Sequence, residues 1–180
     1  MSNVVKRITV IIMVVVMCIS TPGVANAATV TKYVRNGSSY NVLSLDVSMI
    51  GAKSEKVDTA GLKKTSYTSG SVVTSTTKNY TFSASASLSF EEKFLFASIM
   101  GEAGVALSYG VEVSAGTTIN LDSSAPNGVY YAYLSVPHVR GTFKIQNCTL
   151  NYTGWSTKYL KTISYMPMIG CEYLEMKRVY

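Results

Sequence analysis

Hydrophobic and polar residues alternate along much of the chain. From residue 43 to residue 49, every odd position is apolar and every even position is polar. Successive side chains of a β-strand point to opposite sides of the sheet, so this pattern predicts a strand over Tyr40–Met49 with one buried and one hydrated face. Asn36-Gly37 lies just before it and is typical of a two-residue hairpin turn. We therefore expect Val30–Arg35 to be its partner strand.

The centre of the chain carries the longest alternation. From Thr81 to Phe90 the odd positions are hydroxyl residues and the even positions are apolar, and from Val105 to Leu121 the phase reverses. Both segments are predicted strands. The residues between them, Glu91–Glu102, fit either a short helix or an apolar hairpin tip bracketed by charges, and their periodicity does not distinguish the two.

The remaining segments predict more strands of the same kind. The polar stretch Gly51–Lys64 is expected to be a loop, and Pro137 is expected to separate a strand over Val129–Val136 from one over Val139–Gln146. The sequence thus predicts an all-β fold, an antiparallel β-sandwich or barrel of about nine short strands, with an elongated form left open. Further strands are predicted over Tyr67–Thr76, Thr149–Tyr152, Thr157–Tyr165 and Glu172–Tyr180.

The first 27 residues have the organisation of a secretory signal peptide. Lys6 and Arg7 precede an apolar run from Ile8 to Ile19, and the small residues Ala25 and Ala27 flank Asn26. The apolar run is shorter than the roughly 20 residues that a membrane-spanning helix needs. We expect cleavage after Ala27 and a single secreted, extracellular domain over residues 28–180.

Charge and composition restrict the classes of partner and cofactor that are expected to bind. Loss of Lys6 and Arg7 with the signal peptide lowers the formal net charge from +6 to +4, and the remaining basic residues are scattered. Nucleic-acid binding would need a basic stripe interleaved with aromatic residues, so no nucleic-acid partner is expected. Nor is any cofactor expected, because glycine-rich phosphate loops and metal-ligand spacings are missing.

Two cysteines, Cys148 and Cys171, remain after export. An even pair in an exported protein predicts a disulfide. A metal site is disfavoured because zinc takes three or four ligands and the chain has one histidine, His138.

Catalytic motifs are also missing. His138 follows a proline and is interpreted as a surface residue, and the adjacent pair Glu91-Glu92 is interpreted as part of a solvated turn. We therefore expect no enzymatic activity, and a secreted hydrolase without a recognisable motif is the weakest of the hypotheses considered.

The central third of the mature chain contains a set of short motifs: Ser83–Phe90, Phe96–Ser98, Gly104–Val105, Ser114–Thr118 and Pro126–Gly128. With these motifs the chain resembles small secreted β-rich proteins of Gram-positive bacteria. That resemblance implies a compartment and a fold, and it carries no assigned activity.

By pattern alone, the same region is similar to the insertion hairpin of aerolysin-type β-pore-forming toxins. Thr81–Phe90 and Val105–Leu121 would be its two strands, each long enough for a membrane strand of about 9–11 residues. The resemblance implies a membrane tip made of Phe94, Leu95, Phe96, Ile99 and Met100.

The leading functional hypothesis is a released, non-catalytic β-domain that binds an unknown ligand at a cell surface, envelope or extracellular matrix. A membrane-active, aerolysin-like β-hairpin protein is the alternative, and a membrane is a partner only under that alternative.

Overall fold

The computed structural model describes residues 27–36, 39–57, 61–65, 70–149 and 155–179. Within these ranges it contains ten strands and one helix. The strands are β1 (Ala27–Asn36), β2 (Ser39–Lys56), β3 (Leu62–Lys64), β4 (Gly70–Val73), β5 (Lys78–Ser83), β6 (Ser108–Val113), β7 (Thr118–Leu121), β8 (Gly128–Thr149), β9 (Ser156–Pro167) and β10 (Tyr173–Arg178), and the helix α1 (Phe90–Glu102) lies between β5 and β6.

The predicted all-β, antiparallel class is confirmed. One six-stranded sheet has the order β1-β2-β8-β10, with β3 and β9 also paired to β8, and β4–β7 and β5–β6 form two further pairs. Among the described residues no sheet is closed, so the sandwich or barrel stays a prediction. The expectation of short strands is wrong for two of them, because β2 has 18 residues and β8 has 22.

The hairpin predicted at the start of the described chain forms, but its connection lies one residue later than the predicted turn at Asn36-Gly37. In its register Val30 lies opposite Leu45 and Asn36 lies opposite Ser39. The connection therefore consists of residues 37 and 38, which lie outside the described ranges, as does most of the predicted signal peptide, residues 1–26.

The helix α1 has a defined signal at each end. The side chain of Ser89 accepts from the backbone N–H of Glu92, and the carboxylate of Glu92 accepts from the backbone N–H of Ser89, which makes a capping box. At the other end Gly104 has φ of +63°, a left-handed conformation that suits glycine. The N–H of Val105 then donates to the carbonyl of Met100, as in a Schellman motif. Of the two structures that the sequence left open, residues 90–102 form the helix.

The predicted strand over Thr81–Phe90 is corrected by this helix. β5 ends at Ser83, and Phe90 is the first helical residue. In the capping box, side chains of the same segment bond the backbone N–H groups of Ser89 and Glu92. A continued strand would need a neighbouring strand to bond these groups, so the local hydrogen bonds favour the helix. The predicted strand over Val105–Leu121 is likewise divided into β6 and β7 by a turn at Gly116, whose φ is +83°.

Two other expectations about connections are wrong. The stretch Gly51–Lys64 is not a single loop, because β2 continues to Lys56, after which the N–H of Val57 donates to the carbonyl of Ala132. Pro137 does not interrupt β8, because its carbonyl still accepts from the N–H of Met168 and the proline removes only a donor. In both places backbone pairing overrides what the local composition predicts.

The chain divides into two compact units, each made of three segments. The described residues of the first unit lie within Met1–Met49, Ser85–Val105 and Val139–Ser164. Those of the second unit lie within Ile50–Ala84, Ala106–His138 and Tyr165–Tyr180. β2, β8 and β9 each contribute residues to both units.

The core of the first unit packs α1 against the apolar side of the sheet. Phe96 and Ile99 on the helix are fully buried, and the ring of Phe96 meets that of Phe143 edge-on, with 4.9 Å between ring centroids. A second ring, that of Tyr159, lies 5.7 Å from Phe96. Other buried members of this core are Leu43, Leu45, Val47, Leu88, Val105, Val139 and Ile163.

The second unit has its own core of aliphatic residues around Phe82. Partly buried side chains, among them Leu62, Tyr80 and Leu174, cover it. Burial of this much apolar surface supplies the main driving force for folding of such a unit. The buried members of the cluster are Val57, Val72, Phe82, Val113, Ile119, Ala132, Leu134 and Val136.

Candidate functional site

A cleft of about 370 Å³ lies in the first unit, over the side of the sheet opposite the apolar core. The antiparallel register of β1 and β2 creates one wall, because residues directly opposite each other point to the same side of the sheet. Three such pairs line the cleft: Thr29 with Asp46, Thr31 with Ser44, and Tyr33 with Val42.

Lys144 and Gln146 on β8 and Trp155, just before β9, complete the lining of what we call the Trp155 cleft. Val42, Ser44 and Asp46 of β2 line the cleft, the first two as buried side chains, while Leu43 and Leu45 face the core. The same alternation that builds the core therefore leaves a row of polar side chains on the other side of the sheet.

Charged side chains at this site neutralise each other. The ammonium of Lys144 lies 2.6 Å from Oδ2 of Asp46, and the hydroxyl of Thr29 donates to Oδ1 of Asp46 at 2.8 Å. Both charged side chains are partly exposed. Partly exposed ion pairs of this kind contribute only about 0.2–1 kcal/mol to the free energy of folding. A contribution to stability is therefore a weak reason for the presence of this pair in the cleft.

Aromatic side chains form the exposed part of the cleft. Trp155 is 54% exposed, and Tyr33 is 38% exposed. A tryptophan that keeps half of its surface in water forgoes much of the free energy that its burial would provide. Neither Trp155 nor Tyr33 was predicted from the sequence to be a binding residue. The available signal was the polar face of β2 together with the single tryptophan of the chain.

The residues of the predicted membrane tip lie on α1, where they do not form one exposed patch. Phe94 is 82% exposed and Leu95 is also exposed, whereas Phe96 and Ile99 are buried in the core and Met100 is partly buried. The reason is helical spacing: residues three or four apart share a face, so Phe96 and Ile99 turn inward together. Phe90 stands one turn before Phe94 and is 86% exposed.

Glu92, predicted to lie in a solvated turn, is at the start of α1 and holds it to β9. Its carboxylate accepts from the hydroxyl of Tyr159 at 2.8 Å and lies 3.3 Å from the ammonium of Lys161. The backbone N–H of Ser89, the Tyr159 hydroxyl and Lys161 together lower the pKa of Glu92 to about 2. Burial and the adjacent carboxylate raise the pKa of Tyr159 above its ordinary value.

His138 is not the surface residue that the sequence suggested. It lies within β8 in the second unit, is 1% exposed, and packs edge-on against Phe82. Its Nδ1 bonds the carbonyl of Val136 at 2.6 Å, and among the described residues its Nε2 has no partner. Burial lowers the pKa of His138. Alternation within β8 turns this side chain inward, which a loop after Pro137 would not have done.

The predicted disulfide between Cys148 and Cys171 is not present in the structure. The thiol of Cys171 is free and exposed. Cys171 lies just before β10, whose first residue Tyr173 pairs with Ser135, whereas Cys148 lies near the end of β8. A disulfide needs Cα atoms within about 7 Å, and this register brings Cys171 to a different part of β8.

The described residues contain neither a metal-binding cluster nor a membrane-spanning helix. No group of three or more histidine, cysteine, aspartate or glutamate residues among them could hold a metal ion. No helix among them is long and apolar enough to cross a membrane.

Comparisons of the chain with protein-family models, with curated proteins and with solved structures gave no match. The resemblances to secreted β-rich proteins and to aerolysin-type hairpins therefore rest on the sequence motifs alone.

Proposed function

We propose that this protein is a secreted, non-catalytic β-domain that binds a ligand at a cell surface, envelope or extracellular matrix through the Trp155 cleft. The observation that carries the proposal is the half-exposed Trp155 beside the paired side chains of Asp46 and Lys144. Tryptophan is the residue type most enriched at binding hot spots, where its broad apolar surface is covered by the partner.

The surroundings of the titratable groups support binding rather than catalysis. The carboxylate in the cleft, Asp46, is engaged by the Lys144 ammonium and the Thr29 hydroxyl, and the described lining residues include no histidine or second carboxylate with which it could share acid–base chemistry. The one histidine of the chain is buried and bonded to the carbonyl of Val136, away from any substrate in solvent. The proposed extracellular location rests on the signal-peptide pattern of residues 1–27.

Binding of the fluorescently labelled mature protein, residues 28–180, to intact cells and to purified cell walls tests the proposal. Trp155→Ala should weaken binding by about tenfold or more, since it removes the exposed anchor. Phe94→Ala is the matched control, because Phe94 is an exposed aromatic residue of the same unit outside the cleft. Equal binding by Trp155→Ala and wild type would refute the proposed site.

A second candidate function is a membrane-active protein that inserts a β-hairpin built from the segment around α1. It is supported by Phe90 and Phe94, which lie four residues apart on one helical face and leave most of both rings in water. The alternating segments on either side of the helix would supply the two strands after refolding.

Dye release from phosphatidylcholine vesicles, with and without anionic lipid, and from red cells tests this candidate. If it holds, wild type causes leakage and Phe94→Asp abolishes leakage without changing the melting temperature. Thr157→Asp adds the same charge at an exposed position of β9, outside the segment proposed to insert, and serves as the control. Absence of leakage by wild type in all of these systems would eliminate the candidate.

A further inference from the structure

We propose that the ligand of the Trp155 cleft is a neutral carbohydrate, an inference that rests on the proposed binding function and specifies its ligand class. A sugar ring has one or two faces of C–H groups and a rim of hydroxyls. A site for it therefore needs an exposed aromatic surface next to side chains that both donate and accept hydrogen bonds. The Trp155 cleft places these two kinds of surface together in one unit.

The hydrogen-bonding groups of the cleft match a hydroxylated ligand. The Gln146 amide supplies donors and an acceptor, and the Thr31 and Ser44 hydroxyls can do either. Asp46 supplies acceptor oxygens and Lys144 supplies N–H donors, and both retain free positions after bonding each other. Adjacent ring hydroxyls, each a donor and an acceptor, can therefore be satisfied from a single side of the sheet.

The aromatic groups provide the apolar half of the site. Trp155 and Tyr33 both line the cleft; about half of Trp155 and a smaller part of Tyr33 are exposed to water in the free protein. Covering them with a C–H face removes apolar surface from water without burying a polar group. The size of the cleft, about 370 Å³, is at the lower end of the range for small-ligand sites and suits a short oligosaccharide segment.

Charge favours a neutral sugar over an acidic one. The single ammonium in the lining, Lys144, is already held at 2.6 Å by Asp46. An anionic ligand would have to compete for Lys144 and would meet the carboxylate of Asp46, and like charges at this range repel. A neutral hydroxyl can bond to both members of the pair without separating them.

A peptide is a less suitable occupant. Added strands bind through backbone groups at a free sheet edge, whereas the polar groups of this cleft are side chains on the strands β1, β2 and β8. The backbone of β2 is already paired with β1 along this wall. We therefore assign the site to a sugar, and peptide binding is an outcome that the experiment must be able to reveal.

Trp155 makes the test direct, because it is the only tryptophan of the chain and its fluorescence reports on the cleft alone. The mature protein is titrated with neutral tri- and tetrasaccharides of glucose, N-acetylglucosamine, galactose and mannose. Sialylated and uronic-acid oligosaccharides and a mixture of unstructured peptides are titrated in parallel. We expect a saturable change in Trp155 emission with at least one neutral saccharide and weaker or no response to its acidic counterpart.

Variants then assign the contacts by calorimetry. Gln146→Ala should reduce affinity about five- to tenfold through the loss of a hydrogen bond. Trp155→Ala should abolish measurable binding, and Trp155→Phe should restore part of it because the ring face is kept. Phe94→Ala should bind as wild type, and unchanged melting temperatures show that each variant is folded.

Cell binding separates failure of this inference from failure of the proposed function. Periodate cleaves glycan residues that carry vicinal diols, so treated cells should lose wild-type binding if a glucose, galactose or mannose saccharide gives the response. Internal 1,4-linked N-acetylglucosamine residues carry no vicinal diol, and for that ligand the free saccharide should instead compete with cell binding. If Trp155→Ala reduces cell binding but periodate does not and no saccharide changes the fluorescence, the site is a binding site for another ligand class and the carbohydrate inference is wrong. A fluorescence response to peptides alone would likewise refute it. If Trp155→Ala leaves cell binding intact, the proposed function itself fails.

Discussion

Two phenylalanines on α1 provide the sharpest test of the structure, because they differ in environment and in little else. Phe96 is fully buried against the rings of Phe143 and Tyr159, and Phe94 is 82% exposed. Phe96→Ala removes a buried ring and leaves a cavity, which typically costs about 3–5 kcal/mol. Phe94→Ala changes an exposed position and should alter stability by no more than about 0.5 kcal/mol.

The two costs translate into clearly different melting temperatures. For a chain of this size, 1 kcal/mol shifts the midpoint by about 2–4 °C, so Phe96→Ala should lower it by about 6–20 °C. Against a total stability of about 5–15 kcal/mol this loss is large. Thermal and urea unfolding followed by circular dichroism measures both variants. Equal midpoints for the two variants, or a larger loss in Phe94→Ala, would show that α1 does not pack as described.

Three further predictions follow from the titratable groups and the thiol. Burial lowers the pKa of His138 below the ordinary 6.5, so the unfolded chain binds the proton more tightly and the free energy of unfolding should fall as the pH drops below about 6.5. His138→Gln should flatten this pH dependence, and an identical pH profile for the variant and wild type would contradict the prediction. The pKa of Glu92 is lowered from 4.5 to about 2, so the contribution of its carboxylate to stability is present above about pH 4.5 and is lost as the pH falls towards 2. Glu92→Gln should remove this part of the acid unfolding transition. A Glu92 carboxyl pKa near 4.5, measured by NMR, would refute the hydrogen bonds to Ser89 and Tyr159. Cys171 should react with a maleimide in the native, unreduced mature protein, as read by intact mass. An unreactive thiol would contradict the free, exposed Cys171 of the structure.

Local alternation was sufficient to predict some elements closely. The strand over Tyr40–Met49 is present within β2, and its hairpin to β1 forms. Leu43, Leu45 and Val47 are buried as predicted, whereas Met49 at the end of the predicted apolar face is exposed and Ser44 on the predicted hydrated face is buried. These features depend on neighbouring residues, since the two-residue period of a strand and the short turn require nothing from distant parts of the chain.

The helix was predictable in part. Ser89-x-x-Glu92 is a capping-box signal and Gly104 is a suitable terminal glycine, and both are present in the sequence. The alternation from Thr81 to Phe90 predicted a strand over part of the same segment. In the structure the helix is accompanied by the buried contact of Phe96 with Phe143. Periodicity describes one segment at a time and contains no information about such a partner.

The Trp155 cleft could not be predicted in the same way. Its central ion pair joins Asp46 and Lys144, which are 98 residues apart in the chain. The sequence determined that β2 has a polar side, because side-chain alternation is a local property of strand geometry. The tertiary structure decided which residues are exposed: Val42 and Ser44 on this side are buried, Trp155 beside them stays half exposed, and His138 is buried. Those outcomes depend on which strands pair and which faces the rest of the chain covers, and strand pairing is a long-range choice that no local pattern specifies.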